Sequence, residues 1–253
     1  MSALRDFLAR HMPPSYSAHG GDVDRIIVDV HAMILILFIF WATFFVYALV
    51  RFRAKQQPKA RYVGLRSRWP LYMIAAITAI ELFDLFALSI PAWSHWANPL
   101  SAGQKPLEVR IVAEQFAWNI HYPGPDGVFG KADLNLVTAD NPLGLDPADP
   151  HGKDDIVTLN ELHVQVNRPV LLHITSKDVI HGFKLPVMRA TQDAIPGFDI
   201  PIHFTPVRRN NGEQWEVACA QLCGLGHYRM RGMLFVDTPE ELQQFLATTA
   251  AGG

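Results

Sequence analysis

The sequence predicts a two-helix transmembrane hairpin followed by an all-β domain, and three observations lead to this prediction. Two long apolar segments occupy the first hundred residues, over about 26–50 and 71–93. From about residue 101 the long apolar runs stop, and charged residues and prolines become frequent. Short alternating segments rich in Val, Ile and aromatic residues then recur, as is typical of β-strands. A chain of 253 residues is long enough for such an anchor and one further domain.

Each apolar segment is long enough to cross a hydrocarbon core as a helix. The first contains only Trp41, Thr43 and Tyr47 as weakly polar side chains between Ala32 and Val50. The second contains two carboxylates, so a buried helix of a soluble protein is a more serious alternative there. The residues before 26 lack the apolar stretch of a cleavable signal, and we expect the first span both to target and to anchor the chain.

The linker between the spans, residues 51–70, is strongly basic. It contains no acid, and its seven cations are Arg51, Arg53, Lys55, Lys59, Arg61, Arg66 and Arg68. A basic run could bind nucleic acid, but between two spans the positive-inside rule favours a short cytoplasmic loop. The hairpin then places the N-terminal segment, residues 1–25, and the β domain on the extracytoplasmic side. We therefore expect membrane lipid around the spans and no nucleic-acid partner.

The two carboxylates of the second span, Glu81 and Asp84, share one helix face because they are three residues apart. Ionisable side chains are costly near the middle of a bilayer. We expect their face to meet another protein subunit or a water-filled path. Two interpretations stay open: protonated carboxyls that hydrogen-bond to a partner subunit, and a proton path.

The residues after 101 predict an antiparallel β sandwich or barrel without specifying its topology. The predicted strands are Leu107 to Tyr122, Leu159 to Ile174, Phe198 to Phe204, Gln214 to Ala218 and Gly232 to Val236. Residues 123–127, Pro-Gly-Pro-Asp-Gly, form a strong turn signal. Residues 238–253 predict a C-terminal helix and tail, in which Thr238 and Glu241 have the spacing of a capping box.

Charge is unevenly distributed between the two parts of the chain. Residues 1–100 carry 10 lysines and arginines against 6 acids, whereas residues 101–253 carry 12 against 18. An acidic domain of this kind would attract a basic partner. The segment from Asp140 to Asp155 contains five of these acids, and a solvated loop is the alternative interpretation there.

The segment from Cys219 to Met230 contains the only two cysteines of the chain, together with one imidazole and one thioether. This soft set of ligands suits copper better than magnesium, calcium or manganese, and two thiolates can bridge a pair of copper ions. Gly224 and Gly226 disfavour a buried helix here, because two glycines cost a helix roughly 2 kcal/mol relative to alanine. A structural disulfide and a zinc site stay open, although zinc usually takes its histidines in closely spaced pairs.

The order Cys219-x-Gln221-x-Cys223-x-x-x-His227-x-x-Met230 resembles the CuA loop of cytochrome c oxidase subunit II, a highly specific pattern. The resemblance extends from the first span to about residue 237, and it implies a Greek-key cupredoxin-like barrel over residues 101–237. It also implies a binuclear copper centre in which both thiolates are shared. Met230 is then a weak axial ligand of one copper, and the backbone carbonyl of Gln221 is a ligand of the other.

The second imidazole is implied to come from His181. It lies three residues after Asp178, as in the upstream ligand loop of the same family, and Asp178 is a candidate to orient the ring. The domain's other histidines lack this context, and of these we expect His173 and His203 to be partly buried strand residues.

The resemblance implies the electron-input subunit of a membrane haem-copper terminal oxidase. Such a subunit accepts electrons from an extracytoplasmic donor such as cytochrome c and passes them to haem in catalytic subunit I, where oxygen is reduced. The other oxidase subunits are further implied partners. The implied location is a bacterial-type inner membrane, with the copper domain in the periplasm. The alternative is the CuA subunit of a nitric oxide reductase. Nitrous oxide reductase shares the motif but not the two-helix anchor, and quinol-oxidase relatives lose the copper ligands.

Several departures from the family pattern indicate a divergent branch. Gln221 replaces a glutamate that usually also reaches magnesium, and we do not predict magnesium. Phe116 replaces the first tryptophan of Gln-Trp-x-Trp, which leaves Phe116 and Trp118 as the candidate residues for electron input. No glutamate lies within residues 65–72, where the family usually has one for proton uptake, and Phe198 replaces a common arginine.

Overall fold

The computed structural model describes residues 2–53, 59, 67–97, 105–138 and 140–252. The α-helices within these ranges are α1 Ser2–Arg10, α2 Gly20–Arg51, α3 Trp69–Asp84, α4 Ile90–Ala97 and α5 Pro239–Gly252. The strands are β1 Leu107–Glu114, β2 Ala117–Tyr122, β3 Ile156–Leu159, β4 Glu161–Gln165, β5 Val170–Ser176, β6 His181–Leu185, β7 Ala190–Ala194, β8 Ile200–Phe204, β9 Trp215–Cys219 and β10 Arg231–Asp237. A π-helical segment, Leu85–Ser89, joins α3 to α4.

The chain forms two compact units, of which one comprises residues 1–12 and 22–95. In this unit, α2 and the helical run Trp69–Ser94 are each long and apolar enough to cross a membrane, by length and composition. Their large side chains are exposed, and Phe38 and Phe83, for example, are 66% and 64% accessible. A lipid environment explains such a surface, since soluble monomers rarely expose continuous apolar area of this extent. The two predicted apolar helices are thus confirmed, and the first begins six residues earlier than expected.

The predicted cytoplasmic loop falls largely outside the described residues. Residues 54–58 and 60–66 are not described, and neither are residues 98–104 before the β domain. The positive-inside orientation of the hairpin therefore stays a prediction.

The second unit, residues 13–21 and 96–253, is an all-β domain of two five-stranded sheets. The strand orders are β3-β2-β1-β5-β8 and β4-β10-β9-β6-β7. Large apolar side chains fill the core of the domain, among them Trp118, Ile120, Leu162, Leu172, Phe183 and Leu234. The predicted all-β domain is confirmed, but purely antiparallel pairing is wrong, because β1–β5 and β4–β10 are parallel. No turn joins parallel neighbours, so a local sequence signal cannot reveal them.

Two predicted strands are each divided by a turn. The stretch Leu107 to Tyr122 reverses at Gln115 and Phe116, so β1 and β2 form a hairpin. The stretch Leu159 to Ile174 is interrupted around Asn167, whose φ of 58° is incompatible with an extended strand. Alternation continues through both turns in the sequence, which is why periodicity alone merged the strands.

The N-terminal segment contributes an additional strand-like element to the β domain. Residues 13–18, which we call the N-terminal strap, form an isolated bridge between Ser17 and Pro206. The backbone N–H of Tyr16 donates to the carbonyl of Val187 at 2.7 Å, and that of Val207 donates to the carbonyl of Tyr16 at 2.8 Å. The Tyr16 ring stacks on Trp215 at a centroid distance of 4.9 Å. Because the strap leads directly into α2, both ends of the two-helix segment connect to this same domain.

The 33-residue connection between β2 and β3, residues 123–155, is held against the sheet by a buried histidine–aspartate pair. His121 Nε2 and Asp155 Oδ2 are 2.6 Å apart, and both side chains are fully buried. The backbone N–H of Gly130 also donates to Asp155 at 2.8 Å. Burial lowers the pKa of His121, against the opposing effect of Asp155, so the ring is held neutral.

The C-terminal helix begins with the predicted capping box. The Thr238 N–H donates to the Glu241 carboxylate at 2.8 Å, and the Glu241 N–H donates to the Thr238 hydroxyl at 3.2 Å. The helix continues to Gly252, within the segment predicted as helix and tail.

Candidate metal centre

Three connections meet at one end of the β domain: the β1–β2 turn, the β5–β6 connection and the β9–β10 connection. The β5–β6 connection ends at His181, the first residue of β6. The β9–β10 connection follows Cys219, the last residue of β9, and comprises residues 220–230. The turn between β1 and β2 lies against this last segment, which we call the ligand loop. Each predicted ligand is therefore at a strand end or in a loop fixed by the two sheets, as expected for a site built on a rigid scaffold.

The two cysteines are close together but not bonded. Their Sγ atoms are 3.7 Å apart, whereas a disulfide bond is about 2.05 Å long. Both thiols are free; Cys223 is buried and Cys219 is half-buried. The structure therefore does not contain the disulfide that the sequence left open.

The remaining predicted donors surround this pair of sulfur atoms. His181 Nδ1 lies 4.0 Å from Cys219 Sγ, and His227 Nδ1 lies 3.6 Å from Cys223 Sγ. Met230 Sδ is 3.2 Å from His181 Nδ1 and 3.8 Å from Cys223 Sγ. The backbone oxygen of Gln221 is 3.2 Å from Cys219 Sγ. The structure thus brings all six predicted ligand residues into one cluster.

The chemistry of this donor set fits a soft metal ion. Thiolates bond a metal such as zinc at about 2.3 Å, so sulfurs 3.7 Å apart are close enough for one ion to bond to both. Two thiols, two imidazoles and a thioether favour copper over hard cations. A zinc site with two cysteines and two histidines would leave Met230 without a role, although its sulfur lies among the donors.

Asp178 orients the buried His181 ring. The Nε2–H of His181 donates to Asp178 Oδ1 at 2.9 Å, which leaves Nδ1 directed toward the sulfur atoms. Asp178 also accepts hydrogen bonds from the backbone N–H groups of Val179 and Gln115. Burial opposes ionisation, but the hydrogen bonds from His181, Val179 and Gln115 outweigh it and lower the pKa of the Asp178 carboxyl. The His181 ring is therefore held by an ionised carboxylate.

Cys223 is protonated at neutral pH before a metal binds. Burial, followed by the neighbouring Cys219 thiol, raises the pKa of Cys223 to about 11. A bound metal ion has to displace this proton, because the thiolate is the ligand form of cysteine.

The turn between β1 and β2 explains the two glycines of the ligand loop. A Cβ atom at Gly226 would lie 2.4 Å from the Phe116 ring, and one at Gly224 would lie 2.7 Å from the Gln115 side chain. Gly224 also has a φ of +132°, which other residues rarely adopt. The glycines thus permit the hairpin turn to approach the ligand loop closely.

The two candidate electron-input residues occupy different environments. Phe116 is half-buried against the ligand loop, whereas Trp118 is fully buried, with its ring centroid 6.1 Å from that of His181. Glu81 and Asp84 belong to α3 in the other unit, and Asp84 directly precedes the π-helical segment. Within the described part of the chain, neither carboxylate makes an ion pair or a hydrogen bond.

Three apolar side chains near the candidate metal ligands are exposed. Leu222, Leu225 and Tyr228 are 78%, 97% and 85% accessible. They project from the ligand loop itself, next to the half-buried His227. We call these three residues the apolar tip.

Sequence reasoning missed Gln115 as a neighbour of the site. Its side-chain amide donates to the carbonyl of Cys223 at 2.6 Å, across more than a hundred residues of sequence. The only sequence signal for it was its position before Phe116 in the aromatic motif. Any residue type can accept a hydrogen bond through its backbone carbonyl, so the sequence could not identify Cys223 as the partner of Gln115.

The chain is similar to known proteins over most of its length. Residues 107–235 match the family model described as cytochrome c oxidase subunit II, periplasmic domain. The alternative cytochrome c oxidase subunit 2 of Bradyrhizobium diazoefficiens is 32% identical over 218 residues, which cover 82% of this chain and 76% of the relative. Cytochrome c oxidase subunit 2 of Synechocystis is 28% identical, over 94% of this chain and 76% of the relative.

Among solved structures, the periplasmic domain of subunit II of cytochrome oxidase from Bradyrhizobium japonicum is similar at 25% identity and a TM-score of 0.43. The match covers 59% of this chain and 97% of that one.

The matched family region contains every ligand candidate, from His181 to Met230, and it follows two helices suited to a membrane. The chain therefore belongs to the cytochrome c oxidase subunit II family, as a membrane-anchored oxidase subunit with a periplasmic domain.

Proposed function

We propose that this chain is the electron-input subunit of a haem-copper terminal oxidase and that its ligand loop holds a binuclear CuA centre. One observation carries the proposal: two unbonded sulfur atoms, 3.7 Å apart, lie among two imidazoles and a thioether. Copper bound there supplies one-electron transfer. The residues themselves position the donor atoms, exclude water from the buried sulfur of Cys223, and keep the His181 ring in one tautomer.

The individual ligand roles belong to the same proposal. Cys219, Cys223, His181 and His227 would hold the two copper ions. The thioether of Met230 and the backbone carbonyl of Gln221 would complete the set of donor atoms. A site prearranged by the two sheets limits structural change when the charge changes, and this favours rapid electron transfer.

The proposed partners are the catalytic subunit I, the other oxidase subunits and an extracytoplasmic donor, for which cytochrome c is our candidate. The apolar tip supports a protein partner at the metal end, since exposed apolar patches mark interaction sites. The proposed location is a bacterial inner membrane with the copper domain in the periplasm. We propose Phe116 and Trp118 for electron input, and Glu81 and Asp84 for an intersubunit contact or a proton path.

The ligand set is tested by electron paramagnetic resonance of the oxidised, copper-loaded full chain. We expect hyperfine splitting from two equivalent copper nuclei, and we expect Cys223→Ser to abolish it. Leu222→Ser, an exposed change in the same loop, is the matched control and should retain the signal. Splitting from a single copper nucleus, or an unchanged signal in Cys223→Ser, contradicts the proposal.

Nitric oxide reductase is the second candidate for the complex. The absence of a glutamate from residues 65–72, where oxidases usually take up protons, keeps this candidate open. Oxygen and nitric oxide consumption by the purified complex distinguishes the two, since only the correct acceptor sustains turnover.

A further inference from the structure

The turn between β1 and β2 contributes no metal ligand, yet it touches both segments that do. Gln115 and Phe116 form this turn, and the segments they contact are the ligand loop and the Asp178–His181 connection. A ligand-free element between two ligand-bearing ones is suited to fix the distance between them.

Gln115 reaches both segments through two different groups. Its side-chain Nε2–H donates to the backbone oxygen of Cys223 at 2.6 Å. Its backbone N–H donates to Asp178 Oδ2 at 2.7 Å, while the other oxygen of Asp178 accepts from His181. One residue therefore connects directly to a bridging cysteine and, through Asp178, to a ligand histidine.

The contact with Cys223 acts on the ligand through the backbone. A fixed carbonyl oxygen fixes the peptide plane between Cys223 and Gly224, and with it the direction in which the Cys223 side chain leaves the backbone. Gly224, at a φ of +132°, adopts a backbone conformation that glycine reaches far more readily than other residues, so the contact restrains the loop next to a residue with a wide choice of conformations. The position of Cys223 Sγ relative to Cys219 Sγ thus depends on a donor that is itself outside the cluster.

The sequence of the loop is adapted to this contact. A Cβ atom at Gly224 would lie 2.7 Å from Gln115 Nε2, so a larger residue there would displace the donor. The ring of Phe116 fills the space over Gly226 in the same way. Both glycines are therefore explained by the turn rather than by the metal.

We infer that Gln115 is a positioning residue that joins the two ligand-bearing segments and holds Cys223 in its metal-binding orientation before any metal is bound. The inference concerns the metal-free chain, and only its spectroscopic test rests on the proposed copper function. Gln115 binds no metal in this arrangement and acts entirely through Cys223 and Asp178.

Alkylation of the metal-free full chain tests the inference without copper. Iodoacetamide modifies accessible thiols, and tandem mass spectrometry of the peptide containing both cysteines gives a separate rate for each. We expect Gln115→Ala to raise the alkylation rate of the buried Cys223 about tenfold relative to that of Cys219, the loss expected for one hydrogen bond in a closed loop. Gln243→Ala, on the exposed face of α5, is the matched control and should leave the ratio unchanged.

Gln115→Glu separates loss of the donor from loss of volume. The glutamate side chain has nearly the same shape, but its carboxylate accepts and cannot donate to the Cys223 carbonyl. We expect it to raise the Cys223 rate as much as Gln115→Ala does, with an unchanged circular dichroism spectrum. A rate ratio equal to that of the Gln243→Ala control in both variants overturns the inference.

The copper-loaded chain provides the second readout. We expect Gln115→Glu to retain two coppers but to change the hyperfine pattern and the reduction potential, because the position of one bridging sulfur changes. A wild-type chain without a binuclear signal would refute the proposed function while leaving the alkylation result to decide the inference. An altered alkylation ratio with unaltered spectrum and potential would show that Gln115 closes the loop without positioning the ligand, and would also overturn it.

Discussion

Asp178 is the residue on which the orientation of His181 depends. It accepts the Nε2–H of that ring and the backbone N–H of Gln115, and it does so as an ionised carboxylate. We predict that Asp178→Asn lowers copper affinity by about 10–100-fold, the usual cost of removing a partner that orients a metal ligand. Competition with a copper chelator measures the effect.

The matched control for Asp178 is Asp193→Asn. Asp193 is an exposed carboxylate on β7, opposite Gly182 in the same sheet as His181. We expect copper affinity within a factor of about two of the wild type, because a solvated charge interacts weakly with a site that it does not touch. Equal losses in both variants would mean that overall charge, rather than the hydrogen bond, determines affinity.

Gly226 is a second residue with a definite steric role. Its φ of −92° is available to any residue, but an added Cβ would meet the Phe116 ring at 2.4 Å. We predict that Gly226→Ala destabilises the metal-free domain by about 1–3 kcal/mol, as overpacking usually does. The double variant Gly226→Ala/Phe116→Ala should recover part of this loss, measured by urea unfolding.

Gly152→Ala is the control for the added methyl group. Its Cβ would lie 3.5 Å from the nearest atom, which is ordinary van der Waals distance, so we expect little change in unfolding free energy. Absence of any recovery in the double variant would show that Phe116 is not what excludes a side chain from position 226.

At the scale of elements, the N-terminal strap is the least expected part of the β domain. We predict that Tyr16→Ala destabilises this domain by about 1–3 kcal/mol, because it removes a stacked aromatic neighbour of Trp215 and the ring under Arg208. Denaturant unfolding followed by tryptophan fluorescence measures it. Tyr228→Ala is the control, since that side chain is 85% exposed and should leave stability unchanged.

The cap of α5 gives a pH-dependent contribution to stability. The Thr238 N–H, and after it Arg209, lower the pKa of Glu241 below its ordinary 4.5. A lowered pKa in the folded state stabilises the protein above the unfolded-state pKa, and this contribution is lost as the pH falls through the folded-state pKa.

We therefore predict that Glu241→Gln lowers the melting temperature at pH 7 and that the difference from the wild type vanishes as the pH falls well below 4.5. Thermal scans across this pH range measure the difference. Glu240→Gln, at the adjacent position, should show a much smaller difference at pH 7. A difference for Glu241→Gln that is independent of pH would exclude the carboxylate as its origin.

The elements show where sequence reasoning succeeds and where it stops. Period-two alternation located the strands around Ile174, Val217 and Leu234, because burial on one face of a strand imposes that period. It missed β6 and β7, since His-Gly-Phe-Lys-Leu and Ala-Thr-Gln-Asp-Ala are short and do not alternate cleanly. The strap was also missed, because its pairing with Pro206 joins residues almost two hundred positions apart.

The candidate ligands were easier to find in the sequence than the residues that contact them. Cysteine, histidine and methionine at fixed spacing carry their chemistry in their side chains, so the segment from Cys219 to Met230 could be proposed directly as a metal site. Gln115 acts through a backbone oxygen and Gly226 through the absence of a side chain. Contacts of these two kinds require the folded backbone before they can be seen.

At the scale of the whole molecule, part of the excess of acidic residues in the β domain stabilises turns. The connection over residues 123–155 contains seven aspartates and two lysines. Several of these aspartates accept hydrogen bonds from backbone N–H groups two residues later, as Asp126, Asp133 and Asp146 do. Turn formation therefore explains part of this negative charge, in addition to the proposed attraction of a basic electron donor.

The predicted orientation of the two-helix hairpin in the membrane can be tested on the entire chain. Both His11, before the strap, and the β domain should face the periplasm, whereas Gln57 in the basic linker should face the cytoplasm. In a background with both native cysteines replaced by serine, an impermeant maleimide should label the His11→Cys variant in intact spheroplasts. The Gln57→Cys variant should react only after lysis, and labelling of that variant in intact spheroplasts would refute the predicted orientation.

The bridge between Ser17 and Pro206 also sets an order of events during synthesis. The strap emerges from the ribosome long before its native neighbours, which are translated almost two hundred codons later. It therefore stays unpaired until Val187 and Val207 have been synthesised and have reached the same side of the membrane. Contacts so distant along a chain form slowly, so docking of the strap is expected to be a late step in maturation.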